Sequence, residues 1–196
     1  MENINQIMEQ LGLETCLTLE EIPQIDLYMD QVIQLFENKF TDTKRNEDDK
    51  VLTKTMINNY AKGKLIFPIQ NKKYSKEHLI LISLIYQLKG ALSINDIKVT
   101  LAGINQQMIK EEMALDSFYN SYLNLTRQNV EDFKGDIEER VKDVKKEITD
   151  DKKEDSPYLE QVLMISSLVH MSNLYRKVAE KLVDEIPVEK EAKRHK

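Results

Sequence analysis

From Asn105 to Ile148 the chain runs 44 residues without a proline and with a single glycine, Gly135. Apolar side chains recur along it at Met108, Leu115, Tyr119 and Tyr122, and again at Ile137, Val141, Val144 and Ile148. Spacings of three and four describe a helix with one apolar stripe, as in a coiled coil or a helical hairpin. If continuous, it extends about 65 Å at a rise of about 1.5 Å per residue. A stripe that long cannot be left in water, so the helix must have a partner. Thr126, Asn129 and Gly135 interrupt the stripe and leave both a straight and a bent helix open. After a charged linker at 149–155, Ser156-Pro157 supplies an N-cap and a first-turn proline for a final helix. Its face Leu159, Val162, Leu163, Ser166, Val169, Leu174, Val178 and Leu182 ends at Pro187, and 188–196 is a charged tail. This helix can fold back on the long one, or each can pair with a second subunit; the sequence leaves the choice open.

The first half is also read as helical, in shorter pieces. Ile4, Ile7, Met8 and Leu11 fall at helical spacing and Gly12 stops them. Thr18 and Glu21 have capping-box spacing before Pro23. Ile25, Met29, Val32, Phe36 and Phe40 mark a helix of about four turns, followed by a polar connection at 41–49. Thr53 caps a helix from Lys54 to Lys62 that ends at Gly63. Residues 65–74 make a small hairpin around Pro68 and Asn71 that presents Lys72 and Lys73. Ser75 caps a helix to about Lys89 that is apolar almost all round and therefore central. Beyond Gly90, the run Ser93-Ile94-Asn95-Asp96 starts a helix with Ile94, Ile97 and Leu101 facing inward. Only five glycines, with 32% charged residues, argue against a sheet protein.

Charge is distributed unevenly over these pieces. Residues 50–100 hold nine lysines against Glu77 and Asp96, although the whole chain sums to −6. The remainder therefore carries nineteen basic and thirty-two acidic residues. Such an asymmetry fits one face built for a polyanion. Within that window the short helix 54–62 has two sides. Met56, Ile57 and Tyr60 form the inner one; Lys54, Asn58 and Lys62 form an outer stripe flanked by Thr55 and Asn59, without an acid. Lysines neutralise phosphates, and carboxamides can pair bidentately with adenine in a major groove.

Ile57-Asn58-Asn59-Tyr60-Ala61-Lys62-Gly63-Lys64-Leu65-Ile66, then Lys73-Tyr74-Ser75, an apolar helix and Leu92-Ser93-Ile94-Asn95-Asp96-Ile97-Lys98 resemble the MerR-type winged helix-turn-helix. On that resemblance Asn58 stands where the family has a DNA-contacting arginine, Tyr60 keeps an aromatic, and Lys64 replaces a glycine. The Met56–Tyr60 core, with Leu27-Tyr28-Met29-Asp30-Gln31 upstream, is similar to the bacterial domain-of-unknown-function family 1836. The resemblance implies a mainly α fold with a winged helix-turn-helix-like domain at 22–104. It is preceded by short helices in 1–21 and followed by a helical dimerisation or partner region at 105–187. It implies a double-stranded DNA partner met by Lys54, Thr55, Asn58, Asn59, Lys62, Lys64, Lys72 and Lys73, and a homodimer through the C-terminal helices. Two departures stand out. The connection before residue 54 has about a dozen residues where a helix-turn-helix uses three or four, and the wing has lysines in place of arginines.

Enzymatic chemistry is not indicated. His78, His170 and His195 are scattered, and neither His-Glu-x-x-His, Gly-x-Ser-x-Gly nor a glycine-rich phosphate loop occurs. His78 is expected at the surface or an interface, and His170 as a hydrogen-bonded packing residue. The acids Glu131, Asp132, Asp136, Glu138 and Glu139 alternate with Lys134 and Arg140 as on a solvated face. The eight methionines read as core filler, with a ligand-adaptable pocket among Met108, Met113, Met164 and Met171 as the alternative. No cofactor is indicated, and the sequence leaves open whether the helical half binds an effector. A lone Cys16, a start without a signal-peptide pattern and no apolar run near 18 residues point to a cytoplasmic protein outside the membrane. Two functions follow: a sequence-specific DNA-binding regulator acting as a dimer, or a helical protein-interaction module on a winged-helix scaffold that does not bind DNA.

Overall fold

The computed structural model describes residues 4–110, 112–148 and 156–187. The linker 149–155, the tail 188–196 with His195, and the capping side chain of Ser156 lie outside the described residues. Within them the chain forms seven α-helices and one two-stranded antiparallel sheet. The helices are α1 (Ile4–Gln10), α2 (Met29–Phe40), α3 (Lys54–Lys62), α4 (Lys76–Leu88), α5 (Ile94–Ile109), α6 (Leu115–Ile148) and α7 (Ser156–Asp184); the strands are β1 (Leu27–Tyr28) and β2 (Lys73–Tyr74).

The larger core runs from Leu17 to Leu123 and is centred on α4, in which every residue from His78 to Ile85 is buried. That agrees with a helix apolar all round its circumference. Val32, Phe36 and Phe40 of α2, Ile57 and Tyr60 of α3, Ile97 and Leu101 of α5, and Leu115, Tyr119 and Leu123 of α6 close around it. Ile94 does not join them and is exposed, because it is the first residue of α5, one step beyond the Ser93 cap. Polar ties fix the layers. The buried Tyr119 hydroxyl donates to the Leu17 carbonyl at 2.7 Å and meets Ser83 Oγ at 2.9 Å. Asn105 Nδ2 donates to the carbonyls of Leu65 and Leu101, each at 3.0 Å.

The helix read from Asn105 onward is two helices. The chain leaves α5 at Ile109 and starts α6 at Leu115, without a glycine or proline between. Packing imposes the break, since Leu101 from α5 and Leu115 and Tyr119 from α6 enter the same core. Farther on, α6 passes through Thr126, Asn129 and Gly135 as one helix of 34 residues, about 51 Å long. A Cβ at Gly135 would meet nothing within 4 Å. The glycine thus marks neither a bend nor a close approach.

A second, smaller cluster joins α6 to α7 within the chain. Ile137, Val144 and Met164 are buried, with Ile4 and Met8 of α1, Val141, Ile148 and Leu168 packed against them. Arg140 Nη1 donates to Ser167 Oγ across the pair at 3.2 Å. α7 thus folds back on α6 and also touches α5. Gly12 ends α1 with a φ of +58°, as a helix stop requires. Glu14 beyond it pairs with Lys134 of α6 at 2.8 Å.

Candidate nucleic-acid interface

α3 is built on two buried side chains, Ile57 and Tyr60, with Met56 partly buried beside them. Thr53 Oγ1 accepts from the Met56 N–H at 3.2 Å and supplies the cap expected of it. The helical period then places Lys54, Thr55, Asn58, Asn59 and Lys62 on the exposed side, and all five are exposed. The burial of Tyr60 pushes its phenol pKa up.

One neighbour of this face was not legible from the helix's own residues. Lys54 Nζ pairs with Asp30 Oδ1 of α2 at 2.8 Å, so an acid from outside the lysine-rich window borders the stripe. Lys76, another lysine of that window, is tied to Asp116 of α6 at 2.6 Å.

The end of α3 is a tight hydrogen-bonded stop. Lys64 N–H donates to the Ala61 carbonyl and Leu65 N–H to the Tyr60 carbonyl, which together make a Schellman motif. Its left-handed position, normally glycine, is filled by Lys64 at φ 59°. The neighbouring Gly63 is required for a different reason: a Cβ there would lie 2.7 Å from Leu65 Cδ1 and 3.0 Å from the Asn59 carbonyl oxygen.

The turn read around Asn71 is present. Gln70 and Lys73 form an antiparallel bridge, with Lys73 N–H donating to the Gln70 carbonyl at 2.9 Å. Between them Asn71 and Lys72 have φ values of 50° and 59°, both left-handed, as in a two-residue type I′ turn. Lys72 sits at the exposed tip and Lys73 begins the return strand. That strand, β2, pairs with β1 in the register Leu27 to Tyr74 and Tyr28 to Lys73. Lys73 Nζ lies 5.4 Å from the Tyr28 ring centre. The strand partner of the turn is thus the segment leading into α2, a pairing across 45 residues that local pattern could not reveal.

Three residues with no assigned part in the interface hold it in place. His78, expected at the surface or an interface, is buried and so is not a surface residue. Its Nδ1 accepts from Ser75 N–H at 3.1 Å and its Nε2 donates to the Phe67 carbonyl at 3.3 Å, a neutral tautomer. Its ring also stacks on Phe67 at 3.8 Å. Burial lowers its pKa, against the opposing hydrogen bond to Phe67. Glu37 organises the long connection between α2 and α3. It accepts from Lys44 Nζ at 2.6 Å and from Val51 N–H at 2.8 Å, while Val51 and Leu52 plug into the core. Lys89 Nζ reaches the Val51 carbonyl at 3.2 Å from α4, and burial lowers its pKa. The dozen residues before α3 are therefore anchored at their far end, although 45–50 are exposed as their polarity demands.

Residues 17–122 match the family described as Domain of unknown function (DUF1836), slightly over half of the chain. The protein belongs to the DUF1836 family. No curated protein and no solved structure matches the chain. The DUF1836 region begins at Leu17 and ends at Tyr122, nearly the limits of the larger core, so the family stretch is the part of the chain that packs around α4.

Other candidate positions are not assembled into a site. The methionines are split, with Met108 and Met113 against the larger core and Met164 in the smaller one. His170 is exposed on α7, where the expected packing partner is missing because α7 turns its other side to α6. Glu131 and Asp136 pair with Lys134 and Arg140 along the α6 surface, as on a solvated face. Among the described residues no three of His, Cys, Asp or Glu gather closely enough to hold a metal ion. No helix among them is long and apolar enough to cross a membrane. A half-open cavity of about 420 Å³ lies apart from α3, between Cys16, Phe40, Tyr86, Tyr122 and Arg127.

Proposed function

We propose that this DUF1836 protein is a sequence-specific DNA-binding regulator acting as a homodimer in the bacterial cytoplasm, with α3 as the reading helix and the Gln70–Lys73 turn as a short wing. The observation that carries the reading is backbone strain. Lys64 and Lys72 both occupy left-handed conformations in which glycine is the favoured residue. Strain of this kind is retained where the side chain has a task. Of the three left-handed non-glycine residues, Asn71 is of a type that tolerates this conformation, and the other two, Lys64 and Lys72, are both cations that follow the exposed carboxamides of Asn58 and Asn59 in sequence. A winged, MerR-type arrangement is supported by the antiparallel pairing of the turn with the segment before α2 and by the packing of α3 on α2.

In this reading Asn58 and Asn59 contact base edges, while Lys62, Lys64, Lys72 and Lys73 meet phosphates; Lys54 contributes less, being paired with Asp30. Four phosphate contacts per subunit make about eight per dimer, and log K for duplex DNA then falls against log salt with a slope of about −7. Binding to a selected site is compared with scrambled DNA in increasing salt. Asn58→Ala or Asn59→Ala lowers affinity for the selected site by about 1–3 kcal/mol and changes scrambled-DNA binding little. A slope near zero, or no duplex binding at low salt, overturns the proposal. The Lys54–Asp30 pair and the long α2–α3 connection would then favour the other reading, a helical protein-interaction module on the same scaffold.

A further inference from the structure

We infer that the cavity at the rim of the larger core binds a small aromatic carboxylate; the site lies apart from α3 and does not rest on the DNA reading. At about 420 Å³ the cavity is within the size range of small-molecule sites. Four parts of the chain meet in it: the 11–16 segment, the end of α2 with Thr43, the end of α4, and α6 from Tyr122 to Val130. Three aromatic rings are among its walls. Phe40 and Tyr86 lie 4.7 Å apart between ring centres, and Tyr122 stacks on Tyr119 at 5.8 Å. Flat walls of this kind suit a ring better than an alkyl chain.

The polar groups of the lining select what the ring carries. Tyr119 and Tyr122 both project from α6, yet their hydroxyls fare differently. The Tyr119 hydroxyl has two partners, whereas that of the half-buried Tyr122 has none among the described residues. Burial, with Cys16 adding to it, pushes the Tyr122 pKa up, so its phenol is a neutral donor on the cavity wall. Two side chains of the lining carry a full charge, Glu14 and Arg127. Glu14 is engaged by Lys134 at 2.8 Å. Arg127 has a neutral partner, its Nη1 donating to Asn124 Oδ1 at 3.1 Å, and no ion pair among the described residues. Glu20 also feels Arg127, but weakly: its carboxyl is held below the usual range chiefly by its own backbone N–H and by Thr18. A ligand amine would therefore find no free acid in the lining. A carboxylate finds a guanidinium able to hold it through two parallel N–H bonds, with an unused phenol as a further donor.

Isothermal titration of the full chain with 1-naphthoate and with its neutral counterpart 1-naphthamide tests the assignment. Naphthoate is expected to bind with a Kd of about 1 mM or tighter, and naphthamide about tenfold more weakly. Arg127→Gln changes an exposed side chain and is expected to weaken naphthoate about tenfold while leaving naphthamide unchanged. Tyr122→Phe keeps the ring and is expected to weaken naphthoate about two- to tenfold. If Tyr122→Phe lowers the helical circular dichroism, Arg127→Gln alone decides. Absence of naphthoate binding at millimolar concentration overturns the inference. Equal affinity for the acid and the amide overturns it too, as does full-strength naphthoate binding by folded Arg127→Gln; either result gives the compound to apolar side chains elsewhere, such as those exposed on α7. None of these readouts involves duplex DNA, so they stand whatever α3 binds.

Discussion

Between Leu17 and Leu123 the large apolar side chains are mostly enclosed, with Ile25, Tyr28, Ile94, Ile109 and Phe118 the well-exposed exceptions. Along α7 the proportions reverse: Met164 and Val183 are the buried apolar residues, while ten large ones are exposed. Both regions are helical and both are rich in apolar residues. They differ in how many neighbours each helix has. In the DUF1836 region α4 is surrounded by α2, α3, α5 and α6, so apolar character on all its sides is satisfied. α7 has neighbours along one side, and its composition exceeds what that side can bury. Apolar periodicity therefore reports which faces need cover, while the number of neighbours in the chain decides which faces receive it.

The strongest way to break this comparison is to remove one large side chain from each region. Phe36 is completely buried and stacks with Phe40 at 5.9 Å between ring centres. Phe36→Ala is expected to cost about 3–5 kcal/mol and to lower the melting temperature by about 6–20 °C. Leu182→Ser on α7, at 64% exposure, is expected to change the stability of the single chain by no more than about 0.5 kcal/mol. Denaturant titrations at sub-micromolar concentration, where association contributes least, compare the two. Similar losses would show that α7 is folded into the same cooperative unit through more than its inner side.

Much of this organisation was legible because it is local. The stop at Gly12, the caps at Thr53, Ser75 and Ser93, the encircled α4 and the split faces of α3 follow from caps and period, within a few residues of each boundary. The exposure of all five outer residues of α3 is the same kind of inference. What escaped depends on residues distant in sequence. The end of α5 at Ile109 and the start of α6 at Leu115 are set by core geometry shared between the two helices, not by a breaker residue. β1 is two residues long and is a strand because β2 lies beside it. Thr18 and Glu21 form their capping bond at 2.9 Å, yet a short turn follows, and Pro23 ends the possibility of a helix. Asp30, Glu37 and His78 carry no recognisable motif, and each acts on a partner at least seven residues away. The two faces of α7 were the hardest case, since the period described the uncovered one while the inner residues Met164 and Leu168 lay beside it.

A smaller effect tests how the α2–α3 connection is held inside the compact region. The hydrogen bond from Lys44 keeps the Glu37 carboxyl below the ordinary glutamate pKa, with Val51 N–H adding to it against the cost of burial. A carboxylate depressed in the folded state stabilises above its unfolded pKa of about 4.3, and that contribution is lost as pH falls through the folded value. Glu37→Gln is therefore expected to cost about 1–2 kcal/mol at pH 7 and progressively less below about pH 4. Stability measured from neutral pH down to about pH 3 checks the convergence of the two proteins. A constant difference across that range would locate the loss in packing and leave the carboxylate without a role in fixing α3.

The smallest expected effect has the most direct bearing on function, because its sign is opposite for stability and for binding. Lys64 ends α3 and Lys72 tips the turn, both at φ 59°. A glycine adopts that conformation without the Cβ clash, although it also frees the unfolded chain, so Lys64→Gly and Lys72→Gly are each expected to raise stability by about 0.5 kcal/mol. If these lysines serve only as solvated surface, the gain comes without any loss. If they hold phosphates, each glycine variant is more stable yet binds duplex DNA more weakly, equally on selected and scrambled sequences, and the salt slope becomes shallower by about 1 for each phosphate no longer neutralised. The outcome that sinks the phosphate role is a stabilised variant with unchanged affinity and slope. Pairing each with Lys64→Ala and Lys72→Ala separates charge from backbone: alanine removes the ammonium and keeps the strained Cβ, so the alanine variants bind more weakly without gaining stability. In the compact region, where burial is otherwise almost complete, these two positions are then the ones at which local comfort has been given up for a cation at the surface.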